Sequence, residues 1–147
     1  MIVIGDTSGL VAALNTDDPE HDTAREAFHG AAATVISPLV FVEIEHVLTR
    51  NVTRAAAHAV QDWLLQQERT QRVVVPEVSA SRLRTARTVQ DQYRDLGLDL
   101  ADSVNVVLAE QYETETLLTL DRRDFRAIRP LTGHPAFRLL PDDGRTV

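Results

Sequence analysis

Five short apolar runs, at Ile2–Ile4, Thr34–Ile36, Val73–Val75, Thr116–Leu120 and Phe137–Leu140, are separated by longer stretches that carry helix signals. That alternation constrains the fold more than any other feature of the chain. Short apolar strands interleaved with helices imply a parallel sheet with helices packed on both faces, an α/β sandwich of three layers. The helix signals are explicit. Thr7 or Ser8 can cap a helix through about Asn15, and Asp17-Asp18-Pro19 opens a second through about His29. Ser37-Pro38, a cap followed by proline, starts a third from Leu39 to about Arg50. Helical spacing marks Thr53 to Gln67, with Val60, Trp63 and Leu64 facing inward. It recurs from Ser79 to Arg94 and from Leu100 to Tyr112, the latter with Val104, Val107, Leu108 and Gln111 on one face.

In such sheets ligands bind beyond the carboxyl ends of the strands. The first run stops at Gly5-Asp6 and the fourth at Asp121, so the topology expects both acids on one edge. Two further features place acids where their chemistry needs explaining. Glu43 has Leu39 and Val47 four residues away on either side and Val40 three before it, which puts a carboxylate on an apolar helix stripe. An unpaired buried carboxylate is costly and needs a cation, a salt-bridge partner or a proton. Asp99 and Asp102 lie three apart at a helix start, and Asp121 and Asp124 repeat that spacing directly after a strand. Capping explains Asp99 and Asp124 adequately; for Asp102, inside the first turn, capping and ligation are compatible.

The magnitude of their repulsion points to a cation. Two carboxylates about 5 Å apart at an effective dielectric near 20 repel by roughly 3 kcal/mol. Four in one place would remove a large part of a domain's roughly 5–15 kcal/mol of stability. Unless a cation is present, some must take up protons. There is no cysteine, and the five histidines show no ligand spacing, so the expected site is all oxygen. Oxygen donors select a hard ion, Mg²⁺ or Mn²⁺.

Composition sets the remaining bounds. A chain of 147 residues, 44% hydrophobic and 25% charged, suits a single compact domain spanning 1–147. The N-terminus lacks a basic leader, and no apolar run approaches the roughly 20 residues of a membrane span, so a cytoplasmic protein is expected. All 15 basic residues are arginine, which excludes Schiff-base chemistry and a phosphate-loop lysine while supplying planar forks for phosphate. The net charge of −7 does not exclude nucleic acid, because bound metal reverses the field around gathered acids.

The ordered set D-T-S at Asp6, S-P-x-x-x-x-E-I at Ser37, L-A-D-S at Leu100 and T-L-D-R-R-D-F at Thr119 resembles the PIN-domain ribonucleases, and most of all the VapC-type toxins of toxin–antitoxin pairs. The match runs from Ile4 to about Leu140, and A-D-S stands where the family usually has A-D-A. The resemblance implies a PIN-like sandwich and RNA cleavage dependent on Mg²⁺ or Mn²⁺. It makes Asp6, Glu43, Asp102 and Asp121 the catalytic, metal-holding acids, with Asp6 and Asp102 as primary ligands and Asp99 and Asp124 as additional candidates. Metal held there would activate water for in-line attack, leaving a 5′-phosphate and a 3′-hydroxyl. Thr7 or Ser8 and Thr119 would be the polar neighbours of the first and fourth acids. Arg122, Arg123, Arg126 and Arg129, directly after the fourth acid, are the candidate contacts to the RNA backbone. The family also implies a homodimer and a cognate antitoxin, whose helix would occupy an apolar groove lined by the second to fourth helices, with Phe28, Val60, Trp63 and Leu64 as candidate lining.

Two other α/β readings gather aspartates beyond strand ends. A receiver domain needs a lysine, which this chain lacks, and a phosphatase of the haloacid dehalogenase type wants D-x-D where the chain has Asp6-Thr7-Ser8. A catalytically idle binding domain, its acids merely capping helices, predicts that no metal binds.

Overall fold

The computed structural model describes residues 1–144 and contains the expected sheet. Strands β1 (Ile2–Gly5), β2 (Ala33–Val35), β3 (Val73–Val74), β4 (Thr116–Leu118) and β5 (Arg138–Leu140) lie in the order β3-β2-β1-β4-β5, and every pairing is parallel. Side chains alternate across the sheet as strand geometry requires. Val3, Leu118 and Leu140 enter one apolar cluster, while Ile4, Leu117 and Leu139 enter the other.

Helices α1 (Thr7–Leu14), α2 (His21–Gly30), α3 (Pro38–Asn51) and α4 (Arg54–Arg69) cover the first face with Leu10, Phe28, Ile44 and Leu64. Helices α5 (Ala80–Gln92), α6 (Leu100–Gln111) and α7 (Arg122–Ala127) cover the second with Val89, Val104, Leu108 and Phe125. Three layers result. No helix among the described residues is long and apolar enough to cross a membrane.

Caps account for most helix starts. The side chains of Ser37, Thr53, Ser79 and Asp99 each accept a hydrogen bond from a backbone N–H in the first turn of α3, α4, α5 and α6. Two expected starts differ. Helix α2 begins at His21, because Asp17-Asp18-Pro19 forms a turn in which Asp18 Oδ1 accepts from the Glu20 N–H at 2.8 Å. Neither Thr7 nor Ser8 caps α1; Asp6 stands at that position and both hydroxyls turn to the acids instead. Trp63 also departs from expectation, remaining 37% exposed at 5.9 Å from the Phe28 ring.

Helix α1 sits unusually close to the sheet at Gly9. A Cβ there would lie 2.4 Å from the Leu118 carbonyl oxygen, so only glycine permits this approach. The contact seats α1 beside β4 and fixes the turn at Asp6, whose N–H donates to the same Leu118 oxygen at 2.9 Å.

Candidate active site

The strand order reverses at β1, which has β2 on one side and β4, reached only after three intervening crossovers, on the other. A crevice opens at the carboxyl edge of such a switch point. Here it is a pocket of about 470 Å³ lined by Asp6, Thr7, Ser8, Asp18, Glu43, Asn51, Asp99, Asp102 and Asp121, with Val11, Val47 and Leu120 as its apolar walls. Asp6 arrives from the end of β1, Glu43 from α3, Asp99 and Asp102 from the start of α6, and Asp121 from the turn between β4 and α7.

Asp6 is buried, and each of its oxygens is held. Oδ2 accepts from Thr119 Oγ1 at 2.8 Å and from Ser8 Oγ at 3.3 Å, while Oδ1 accepts from Asn105 Nδ2 at 3.3 Å. Burial raises its pKa above the ordinary aspartate value; the bonds from Thr119, the Thr7 backbone and Ser8 oppose that rise. Thr119 and Ser8 also tie the first acid to the fourth. Thr119 Oγ1 accepts from the Asp121 N–H at 3.0 Å, and Ser8 Oγ accepts from the Leu120 N–H at 2.9 Å.

Glu43 is half-buried and accepts from Thr7 Oγ1 at 2.8 Å. Burial raises its pKa, the Thr7 bond lowers it, and the charges of Asp99 and Asp6 raise it further. Asp102 is strongly perturbed: burial first, then the charges of Asp6, Asp99, Asp121 and Glu43, push its carboxyl up to about 8. Asp121 is raised by burial and by Asp124 and Asp99, against the hydrogen bond from the Asp124 N–H. Asp99 caps α6 through the Asp102 N–H at 2.8 Å and still faces the pocket.

The donor set fits a divalent hard cation. One carboxylate oxygen each from Asp102, Asp121 and Asp124 lies within 4.8 Å of the others, and the pocket offers oxygen donors without cysteine or histidine. Burial and the four acids around it hold the Asp102 carboxyl up to about 8, so a bound cation would be favoured there over a proton. Asp124, expected only as an additional candidate, stands in this closest trio. Asp6 and Glu43 line the same pocket outside it.

The arginines behave differently from expectation. Arg122 is engaged by Glu20 and Asp142 together, and Arg126 forms a two-pronged pair with Asp143 at 2.8 and 2.7 Å. Their forks hold the protein to itself, joining α7 to the turn before α2 and to the segment after β5. Arg123 is exposed beside Asp121, with no acidic partner within 4 Å among the described residues.

The apolar groove lies one helix over from where it was expected. Val11, Leu14, Leu48, Val52, Ala56 and Val60 line a cleft of about 100 Å³, which continues past Ala59 to Trp63. Thus α1, α3 and α4 form it. Phe28 and Leu64 are buried in the core, leaving Val60 and Trp63 as the lining residues from the expected set.

Three site features escaped the sequence reading. Asp18 faces the pocket from the turn after α1, and Asn51 from the end of α3. Asn105, one turn beyond Asp102 inside α6, meets Asp6 in the core. A polar residue amid Val104, Val106 and Val107 was the available signal for the last.

Comparison with known proteins agrees with this fold. The family described as the PIN domain matches residues 3–130. Ribonuclease VapC26 of Mycobacterium tuberculosis is 35% identical over 132 residues, covering 89% of this chain and 95% of that protein. Among solved structures, the Sarcin-Ricin loop cleaving toxin VapC20 of Mycobacterium tuberculosis matches with a TM-score of 0.73 at 20% identity, over 84% of this chain and 92% of that one. VapBC2 from Rickettsia felis, solved bound to a DNA fragment from its promoter, matches with a TM-score of 0.64 at 19% identity, over 89% and 96%.

Proposed function

The chain belongs to the PIN-domain family, and from that premise we propose that it is a VapC-type endoribonuclease dependent on Mg²⁺ or Mn²⁺, the toxin of a toxin–antitoxin pair. The observation that carries the metal-dependent step is the convergence of Asp6, Glu43, Asp99, Asp102 and Asp121 from four places in the chain on one pocket at the switch point. Helix capping alone explains Asp99. It does not explain why Asp102 is set part-buried among four other acids, its carboxyl pushed up to about 8 by that burial and by their charges.

In this reading Asp6 and Asp102 hold the ion together with Asp121 and Asp124, and Glu43 completes the oxygen-lined pocket. A divalent ion there supplies Lewis acidity towards water and the scissile phosphate. Thr119 and Ser8 hold Asp6 against Asp121, and Thr7 orients Glu43. Val11, Val47 and Leu120 bound the pocket with apolar surface, which lowers the local dielectric and strengthens each charge interaction inside it. Arg123, exposed next to Asp121 and without an acidic partner within 4 Å among the described residues, is the arginine nearest the acids that would meet an RNA phosphate.

The groove between α1, α3 and α4 suits the apolar face of an antitoxin helix, with Trp63 and Val60 at one end. The same reading carries a homodimer, which the mass of the purified chain in solution checks.

The test is cleavage of RNA by the purified protein in Mn²⁺ or Mg²⁺, beside its Asp6→Ala and Asp102→Ala variants. Both variants should lose cleavage by at least a hundredfold. Activity equal to the parent in both would end the assignment.

A further inference from the structure

We infer that Asn105 is a positioning residue that holds the Asp6 carboxylate ready for the cation. This rests on the nuclease reading of the pocket and assigns a role to a side chain outside the acidic set. Asn105 is completely buried, on a helix whose neighbouring Val104, Val106, Val107 and Leu108 are also buried. Its Nδ2 donates to Asp6 Oδ1 at 3.3 Å, and its Oδ1 finds no donor among the described residues.

An orphaned acceptor inside a core is unfavourable, whereas a leucine would fill similar space without one. The amide is therefore poorly suited to stability, and its one satisfied contact is the first acid. The chemistry of that contact is specific. A neutral N–H fixes the orientation of Asp6 Oδ1 without cancelling its negative charge, as an arginine would. The oxygen retains a second lone pair for a cation. Oδ2 is already occupied by Thr119 and Ser8, so Asn105 completes the clamp from the opposite side. Helix α6 thus carries both Asp102 and, one turn later, the donor that steadies the acid of β1.

The experiment compares the full-length parent with Asn105→Leu and Asn105→Ala in three measurements. These are Mn²⁺ affinity by calorimetry, metal-free melting temperature, and RNA cleavage across a Mn²⁺ titration. Partners outside the ligand shell are worth about 10–100-fold in metal affinity, so Mn²⁺ binding should weaken about tenfold or more. The Mn²⁺ needed for half-maximal cleavage should rise in step, with a smaller fall in the rate at saturating Mn²⁺. The leucine variant exchanges the orphaned amide oxygen for an unpaired Asp6 Oδ1, so its melting temperature should stay within a few degrees of the parent, a result that separates positioning from a merely structural role. Unchanged Mn²⁺ affinity in either folded variant would overturn the inference while leaving the nuclease reading intact. Loss of the fold in both variants would also overturn it, since it gives the amide no part in stability. A parent that neither binds Mn²⁺ nor cleaves RNA would instead remove the reading beneath it.

Discussion

Replacing Asp102 by asparagine should make the metal-free protein more stable, and metal should erase the advantage. In the folded chain the Asp102 carboxyl is pushed from 3.8 up to about 8, by burial and then by the four surrounding acids. Unfolding frees it to ionise at its ordinary value. At pH 7 the native state therefore holds a proton that the unfolded state has released, and stability falls as pH rises. The loss is absent below about pH 4, grows through the neutral range, and is complete above about pH 8. At about 1.4 kcal/mol for each factor of ten, the penalty at pH 7 is about 4 kcal/mol, which screening in an open pocket reduces to about 2–3 kcal/mol. Asparagine keeps the shape and carries no such penalty. In a chain of this size the melting temperature should rise by about 5–10 °C. Thermal unfolding in chelator at pH 5, 7 and 8.5 measures this, with a repeat in millimolar Mg²⁺. Because binding to the native state stabilises it, the parent gains from Mg²⁺ and the variant gains less, so the gap closes. An asparagine variant no more stable than the parent in chelator at pH 7, or a gap that fails to widen from pH 5 to 8.5, would refute the account.

Three further perturbations separate parts of the fold that meet near the pocket. Gly9→Ala drives a methyl to 2.4 Å from the Leu118 carbonyl, so α1 must move off β4. Overpacking of this kind should cost about 3 kcal/mol or more, read as a melting temperature lowered by about 10 °C, with cleavage falling as Asp6 shifts. Arg122→Ala should lower the melting temperature by a few degrees, because it releases Glu20 and Asp142, and should leave RNA affinity nearly unchanged. Arg123→Ala should do the reverse: an unaltered melting temperature, weaker RNA binding, and a salt dependence of log affinity reduced by about one. Equal effects of the two on RNA affinity would contradict the division of labour drawn from their ion pairs.

The sheet was legible because its strands are mostly apolar and bounded by strong signals. Ser37-Pro38 began α3 where the capping rules place it, and the strand at Thr116 ended at Leu118, two residues short of the expected Leu120 and three before Asp121. The convergence of Asp6 and Asp121 followed from topology alone, since parallel strands deliver their ends to one edge. The start of α2 was less legible. Asp17-Asp18-Pro19 has the letters of a helix opening, but Asp18 satisfies the Glu20 N–H within a turn, and local side-chain bonds of this kind compete with the helix. The arginines after Asp121 carried the same ambiguity. Only the packing of α7 against the chain end reveals that two of them meet Asp142 and Asp143.

Asn105 shows why the interior of the site was the hardest part to read. The pattern of α6 was taken as one apolar face, yet the structure buries Ala101 and every residue from Ser103 to Ala109. A helix enclosed on all sides has no polar face to receive an amide, so an asparagine within it must find its partner in the core or go without. Asn105 does both, giving one end to Asp6 and leaving the other unpaired. A core selected for stability alone would have eliminated that defect, because an apolar side chain of similar size removes it. Its presence next to the most buried acid of the pocket is therefore best explained by what it does for that acid. The same logic applies to Asp102, whose raised carboxyl burdens the metal-free fold. Both residues are poor choices for an empty pocket and sound ones for a pocket that holds a cation.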